Sequence, residues 1–404
     1  MREKAPELHK TFREEWRDGW TKGANDFQNF EFPLVELPRV SDEDTEALGL
    51  CAVFEKLNST GVELSVYDLL TARLYRSGIK LHDLWDETCK THTLLNKWSR
   101  GKAETAKFGV LTLRTLALLR DLDPKPRFLI NLDPTNFEND WRRAAAAMER
   151  ALELITNVGE DGFAVFSPKW LPGYGLVPVI AALRSEIEQR KLGEGPRSDL
   201  RRWYWCNVFL ERYSSAVGSK SRKDYSELLA HWPAGQQEPA LFAEARVRIG
   251  AEGFTISDSA SQASTVYSGV FCLLALRGAR DWRRVESIQL QDLEDHPIFL
   301  RDYLRSHGVE KRAIVNSIVN RTLISDETNG KIKNKAPADY LASKEIFPSG
   351  YDDRLLAPHF FSIDAIGAMQ QAKSNTTDTD VGILSREGTA HRLRDKTGLW
   401  YRTD

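Results

Sequence analysis

From about residue 100 the chain repeats apolar side chains at helical spacing for about 180 residues. Few folds accommodate such a run. In ENDWRRAAAAMERALELITNV, Glu138 to Val158, strong helix formers carry an apolar stripe through Trp141, Ala144, Met148, Leu152 and Ile155. A stripe of that width has to be buried against other helices, so the middle of the chain is predicted to be a helical bundle. FGVLTLRTLALLRDL, Phe108 to Leu122, is apolar enough to suggest a membrane span but is broken by Arg114 and Arg120. It reads as a buried helix instead.

Three further segments extend the bundle. Gly175 to Lys191 is amphipathic, with Pro178 placed for a first turn, and is expected to end in the loop GEGPRS. SDLRRWYWCNVFLERYSSAV starts at a Ser198 cap and sends Leu200, Trp203, Tyr204, Val208 and Leu210 toward a core. Trp203, Tyr204 and Trp205 are consecutive and cannot share one helix face, so one or two of them are expected inside. STVYSGVFCLLALRGARDW supplies another helix, ending near Gly278. Upstream, Ser65 is placed to cap VYDLLTARLYR after the turn Asn58-Ser59-Thr60-Gly61. The first 45 residues read as a charged, aromatic-rich helix followed by edge strands around FEFPLVELP. Beyond residue 283, short β-type segments (ESIQL, RTLIS) alternate with polar loops such as KSNTTDTD. The expected organisation is mainly α: residues 1–100, a central helical bundle over 101–282, and a small α+β module with a helical tail over 283–404.

Net charge is −2 with pI near 6.5, so any polyanion site has to be a local basic patch. Arg197, Arg201, Arg202, Lys220, Arg222 and Lys223 form one candidate strip, which solvated helix ends explain equally well. The four cysteines, Cys51, Cys89, Cys206 and Cys272, have no zinc or CxxC spacing and read as free thiols of a cytoplasmic protein. The charged opening MREKAPELHK has no signal-peptide character, and no membrane is implied.

Three blocks carry a resemblance. They are CAVFEKLNSTGVELSVYDLLTA (Cys51 to Ala72), LRRWYWCNVFLERYSS with VYSGVFCLLALRGARDW, and DHPIFLRDYLRSHG (Asp295 to Gly308) with NSIVNRTLISDETNGKIKNKAPADYL (Asn316 to Leu341). In this order the chain resembles the GmrSD-type restriction endonuclease family, defence proteins that attack modified foreign DNA. The resemblance implies a remnant of a ParB-like domain over 1–100. It also implies a C-terminal HNH-like (ββα-metal) module that cuts DNA with Mg or another divalent metal. The family's DGQQR motif is missing from the roughly fifty residues before the VFEKLN segment, and AGQQE (Ala234 to Glu238) lies downstream in a Pro-flanked loop. No NTP hydrolysis is therefore expected, and a protein partner would have to supply the nucleotide-dependent half.

Within the HNH-like module the resemblance gives roles to particular residues. Asn320 is the orienting residue, Asn329 a metal ligand, and Lys331, Lys333 and Lys335 phosphate contacts. The family pattern HHIFP falls on His296-Pro297-Ile298-Phe299-Leu300, with proline at the general base's position. In that register His296 is only a ligand and hydrolysis is weak, because a general base contributes about 10²–10⁴-fold. In a second register Asp295 is the ligand and His296 the base. A catalytically silent DNA-binding or interaction subunit is the alternative to a weak nuclease, and a decayed or mis-started product a third reading. His307 and His359 read as local hydrogen-bonding residues, either of which could replace a lost base.

Overall fold

The structure, a computed structural model, describes residues 14–29, 66–233, 237–249, 251, 256, 263–284, 289–306, 308–333, 335–351, 353–359 and 361. The predicted strands around FEFPLVELP, the Asn58–Gly61 turn, Ser65, Cys51, His307, most of AGQQE and the KSNTTDTD stretch lie outside these residues. The chain divides into two compact units, Met1–Glu63 and Leu64–Asp404. In the first, helix α1 (Glu14–Gln28) exposes Trp20 and Phe27.

The second unit is built on α7 (Phe137–Thr156), whose predicted stripe is buried in full. Before it come α2 (Val66–Tyr75), α3 (Leu81–Thr91), α4 (Thr93–Trp98), α5 (Lys102–Leu119) and the short α6 (Pro126–Leu129). After it come α8 (Val177–Gln189), α9 (Glu194–Phe209), α10 (Val217–His231), α11 (Ala240–Ile249) and α12 (Thr265–Leu276). Helices α5, α7 and α8 pack pairwise into the centre of the bundle. Trp141 Nε1 donates to Thr88 Oγ1 at 3.0 Å, which fastens α3 to α7. Glu149 accepts from the backbone N–H groups of Leu94 (2.9 Å) and Leu95 (2.7 Å), satisfying donors that the start of α4 cannot pair internally. Tyr67, Leu70, Leu74, Trp85 and Trp98 share the apolar cluster of α5 and α7. The apolar core of this unit thus includes α2.

Three local expectations are corrected. GEGPRS is not a loop, because α9 begins at Glu194 and takes Pro196 into its first turn. There a missing N–H costs no intrahelical bond. Ser198 consequently lies inside the helix and does not cap it. Trp203, Tyr204 and Trp205 are all buried, not one or two of them. Helix α9 packs against α8, α11 and α12, and from Trp203 to its end every residue is buried. Tyr204 stacks on Phe163 and Trp203 Nε1 donates to Asp224, which leaves neither ring available to a nucleic-acid base.

Past α12 the order is β1 (Glu294–Pro297), α13 (Arg301–Ser306), α14 (Arg312–Val315), β2 (Arg321–Ile324), α15 (Asp326–Ile332), α16 (Pro337–Leu341) and α17 (Asp353–Leu356). RTLI forms a strand as predicted, but its partner is EDHP; Leu290 of ESIQL sits in a 3₁₀ turn. The strands are antiparallel, with Asp295 opposite Leu323 and His296 opposite Thr322. Alternation along the pleat gives this ribbon two different faces. Leu323 joins the bundle core. Ile324 joins a second cluster with Trp282, Phe299, Ile332, Tyr340 and Phe347.

Candidate functional site

The two-faced ribbon separates the residues that the second register needs together. Asp295 shares a face with Leu323 and Arg321, against the bundle. Its carboxylate accepts from the hydroxyl of Tyr267 on α12 and from Arg321 at 3.1 Å. His296, one residue on, faces the opposite side. An Asp295–His296 ligand-and-base pair is therefore not assembled, and Asp295 fastens β1 to the bundle.

His296 instead meets the start of α15. Its Nε2 lies 3.2 Å from Asp326 Oδ1, with the imidazole side chain 10% exposed and the carboxylate 87% exposed. The pair is within ionic reach but is not aligned as a hydrogen bond, and Nε2 has no hydrogen-bond partner. Burial pulls the His296 pKa below the ordinary histidine value, against the opposing charges of Asp326, Asp295 and Glu294. At neutral pH the ring is uncharged and one nitrogen carries a lone pair. Asn329 follows Asp326 by three residues on α15, so the two lie on one helix face. Its Oδ1 is also buried without a hydrogen-bond partner.

Asn320 does not orient the imidazole. It is buried, and its Oδ1 accepts from Phe299 N–H at 2.8 Å. Its Nδ2 donates to the carbonyls of Phe299 and Val315, both at 3.0 Å. The amide reproduces a strand pairing where the ladder ends, and it closes the excursion of α13 and α14 between the two strands. The lysines also differ from expectation. Lys331 and Lys335 lie 2.9 and 3.6 Å from the carboxylate of Glu345, whereas Lys333 is exposed at a position with φ of 50°. In the upstream basic strip, Arg201, Arg202, Arg222 and Lys223 are all in ion pairs.

Two residues that sequence reasoning gave no such role support the site from behind. Asp281, fully buried, accepts from Ser325 N–H (2.7 Å), Thr328 Oγ1 (2.8 Å), Arg284 N–H (2.9 Å) and Arg283 N–H (3.1 Å). Burial pushes its pKa up, but the donors, led by Ser325 and Arg284, more than offset this and hold the carboxyl below its ordinary range. Ser325 caps α15 by accepting from Thr328 N–H at 3.2 Å. His359, beside Asp281, bridges Thr322 Oγ1 (2.6 Å) and the Arg280 carbonyl (3.0 Å). Both its nitrogens are engaged, and it is not placed to act as a base. Asp326 had a sequence signal in Ser325-Asp326-Glu327-Thr328, a hydroxyl cap followed by acidic residues directly after a strand. Asp281 had none.

Among the described residues no three His, Cys, Asp or Glu side chains converge as a metal site. The set here is one His, one Asp and one Asn. It suits a divalent cation on two grounds: two buried donor atoms without hydrogen-bond partners, and a His–Asp donor separation of 3.2 Å. Adjacent ligands about 2.1 Å from a shared octahedral ion stand about 3 Å apart.

No protein-family model matches the chain. It is 31% identical over 291 residues to an uncharacterized protein of Methanocaldococcus jannaschii, an alignment covering 72% of this chain and 49% of that protein. The chain thus spans about half the length of this curated relative. No helix among the described residues is long and apolar enough to cross a membrane.

Proposed function

We propose that the chain is a DNA-binding defence protein of the GmrSD type with a weak, divalent-metal-dependent HNH-like nuclease centre at His296, Asp326 and Asn329. The observation that carries this reading is the pair of buried atoms without hydrogen-bond partners, His296 Nε2 and Asn329 Oδ1, on the first strand and the helix of a β–β–α arrangement. His296 and Asn329 are the ligands that the sequence resemblance expects, and Asp326 takes the place expected of Asp295. A bound Mg²⁺ or Mn²⁺ would supply charge neutralisation at the scissile phosphate and acidify a bound water. The protein's own contribution is to hold three donors on rigid elements and to keep the His296 ring neutral. Position 297, where the family resemblance expects the base, is proline and lies on the Asp295 face of the ribbon. Turnover is accordingly slow.

Pro297 also favours a second reading, a catalytically silent DNA-binding subunit. The two differ in a nicking assay on supercoiled plasmid with Mn²⁺. The nuclease reading expects slow cleavage that His296→Ala and Asn329→Ala abolish. A protein that shifts plasmid mobility but never cuts, with or without these substitutions, is the silent subunit.

A further inference from the structure

We propose that Asp281 is a positioning residue for the metal ligands of α15, a role that rests on the reading of His296, Asp326 and Asn329 as a metal centre. α15 has only seven residues and little stability of its own. Its direction relative to β1 has to be imposed from outside, because His296 stands on the strand and Asp326 and Asn329 on the helix. Asp281 does this through both carboxylate oxygens. Oδ1 takes the N–H of the capping residue Ser325, and Oδ2 takes the hydroxyl of Thr328, which lies between the two α15 ligands. The same Oδ2 accepts from Arg283 and Arg284 N–H, so the carboxylate is itself fixed by the backbone that leaves the bundle. Arg283 and Arg284 then return to α15 through ion pairs with Glu327, between Asp326 and Thr328. The preceding residue, Arg280, offers its carbonyl to His359, whose other nitrogen holds Thr322, the cross-strand partner of His296. One dipeptide, Arg280-Asp281, therefore sets both the strand pair and the helix whose side chains form the site.

Supports of this kind change metal affinity about 10–100-fold without touching the ion. The test uses the full chain and Mn²⁺ binding followed by electron paramagnetic resonance, with thermal unfolding of the metal-free protein in parallel. Asp281→Asn keeps the size of the side chain but turns one acceptor into a donor. Thr328→Val removes the bond to Asp281 and the one accepted from Ser325 Oγ, and serves if Asp281→Asn does not fold. Asp224→Asn is the control: it disturbs another buried carboxylate, which holds Trp203, Tyr213 and Arg212 in the bundle. The expected result is weaker Mn²⁺ binding by about tenfold or more in the Asp281 or Thr328 variant. Asp224→Asn should lower the unfolding temperature and leave Mn²⁺ affinity unchanged. Wild-type affinity in a folded Asp281 or Thr328 variant, or an equal loss in Asp224→Asn, overturns the positioning role while the metal centre stands. If wild-type protein binds no Mn²⁺, the metal centre falls and the role of Asp281 with it.

Discussion

Asp326 Oδ1 stands 3.2 Å from His296 Nε2, joining the first turn of α15 to β1 across what would otherwise be an open edge of the module. The imidazole is buried and neutral and the carboxylate faces solvent, so the approach gains little as an ion pair and leaves a donor set open to water. Asp326→Ala should therefore reduce Mn²⁺ affinity by at least about tenfold, as loss of a ligand does, yet hardly move the unfolding midpoint. Isothermal titration with Mn²⁺ beside thermal unfolding checks this. Unchanged affinity would remove Asp326 from the site.

Asn320 gives the opposite pattern. Its amide satisfies two buried backbone groups on Phe299 and a half-buried carbonyl on Val315, so Asn320→Ala takes that partner from all three. The expected cost is about 3 kcal/mol of stability, read from urea unfolding. A variant as stable as wild type but defective in cleavage would restore the orienting role that the resemblance assigns.

The bundle was legible in the sequence because burial there follows from periodicity alone. The stripe from Trp141 to Ile155 needed only the 3.6-residue repeat. Periodicity says nothing where tertiary context decides. Trp205 is buried because α8, α11 and α12 pack around a helix whose residues 203–209 are all covered, and no local pattern reports that. At the site, His296 and Asn329 are expected from the family resemblance and not from any local pattern. The face that Asp295 takes depends on which residues pair across the ribbon, and Asp281 acts from 44 residues before Ser325.

Glu345 occupies two of the three lysines expected to face phosphate. Its carboxyl is held below the ordinary range, first by the hydrogen bond from Lys331. If these lysines face DNA, Glu345→Gln frees them. DNA affinity at low salt should then rise, and the salt dependence should steepen by one to two released counterions. Fluorescence anisotropy across a salt series measures both. An unaltered slope would place the lysines away from DNA.

Gly109 on α5 tests whether α2 belongs to the bundle core. A Cβ at this position would come within 2.5 Å of the Tyr67 ring, which is buried and backed by Trp85. Gly109→Ala should cost about 1–3 kcal/mol through overpacking. In the double variant with Tyr67→Ala the two costs should fall short of their sum, because the clash disappears with the ring. Strict additivity in chemical denaturation would mean that the two helices do not touch there.

His359 makes the module sensitive to acid. Burial pushes its pKa down to about 4 from an ordinary value near 6.5. The neutral ring donates from Nε2 to the Arg280 carbonyl and accepts from Thr322 at Nδ1, so a second ring proton would face a hydroxyl already donating to it. A group whose folded pKa is depressed contributes stability that is fully present above the unfolded value. That contribution declines as the pH falls from about 6.5 to about 4. The shift corresponds to about 3 kcal/mol. His359→Gln should lose stability at pH 7, because the buried contacts are remade imperfectly, and should flatten the slope of unfolding free energy between pH 6.5 and 4. Urea unfolding at several pH values in that window reads the slope directly. A wild-type slope in the variant would assign the acid sensitivity to other groups.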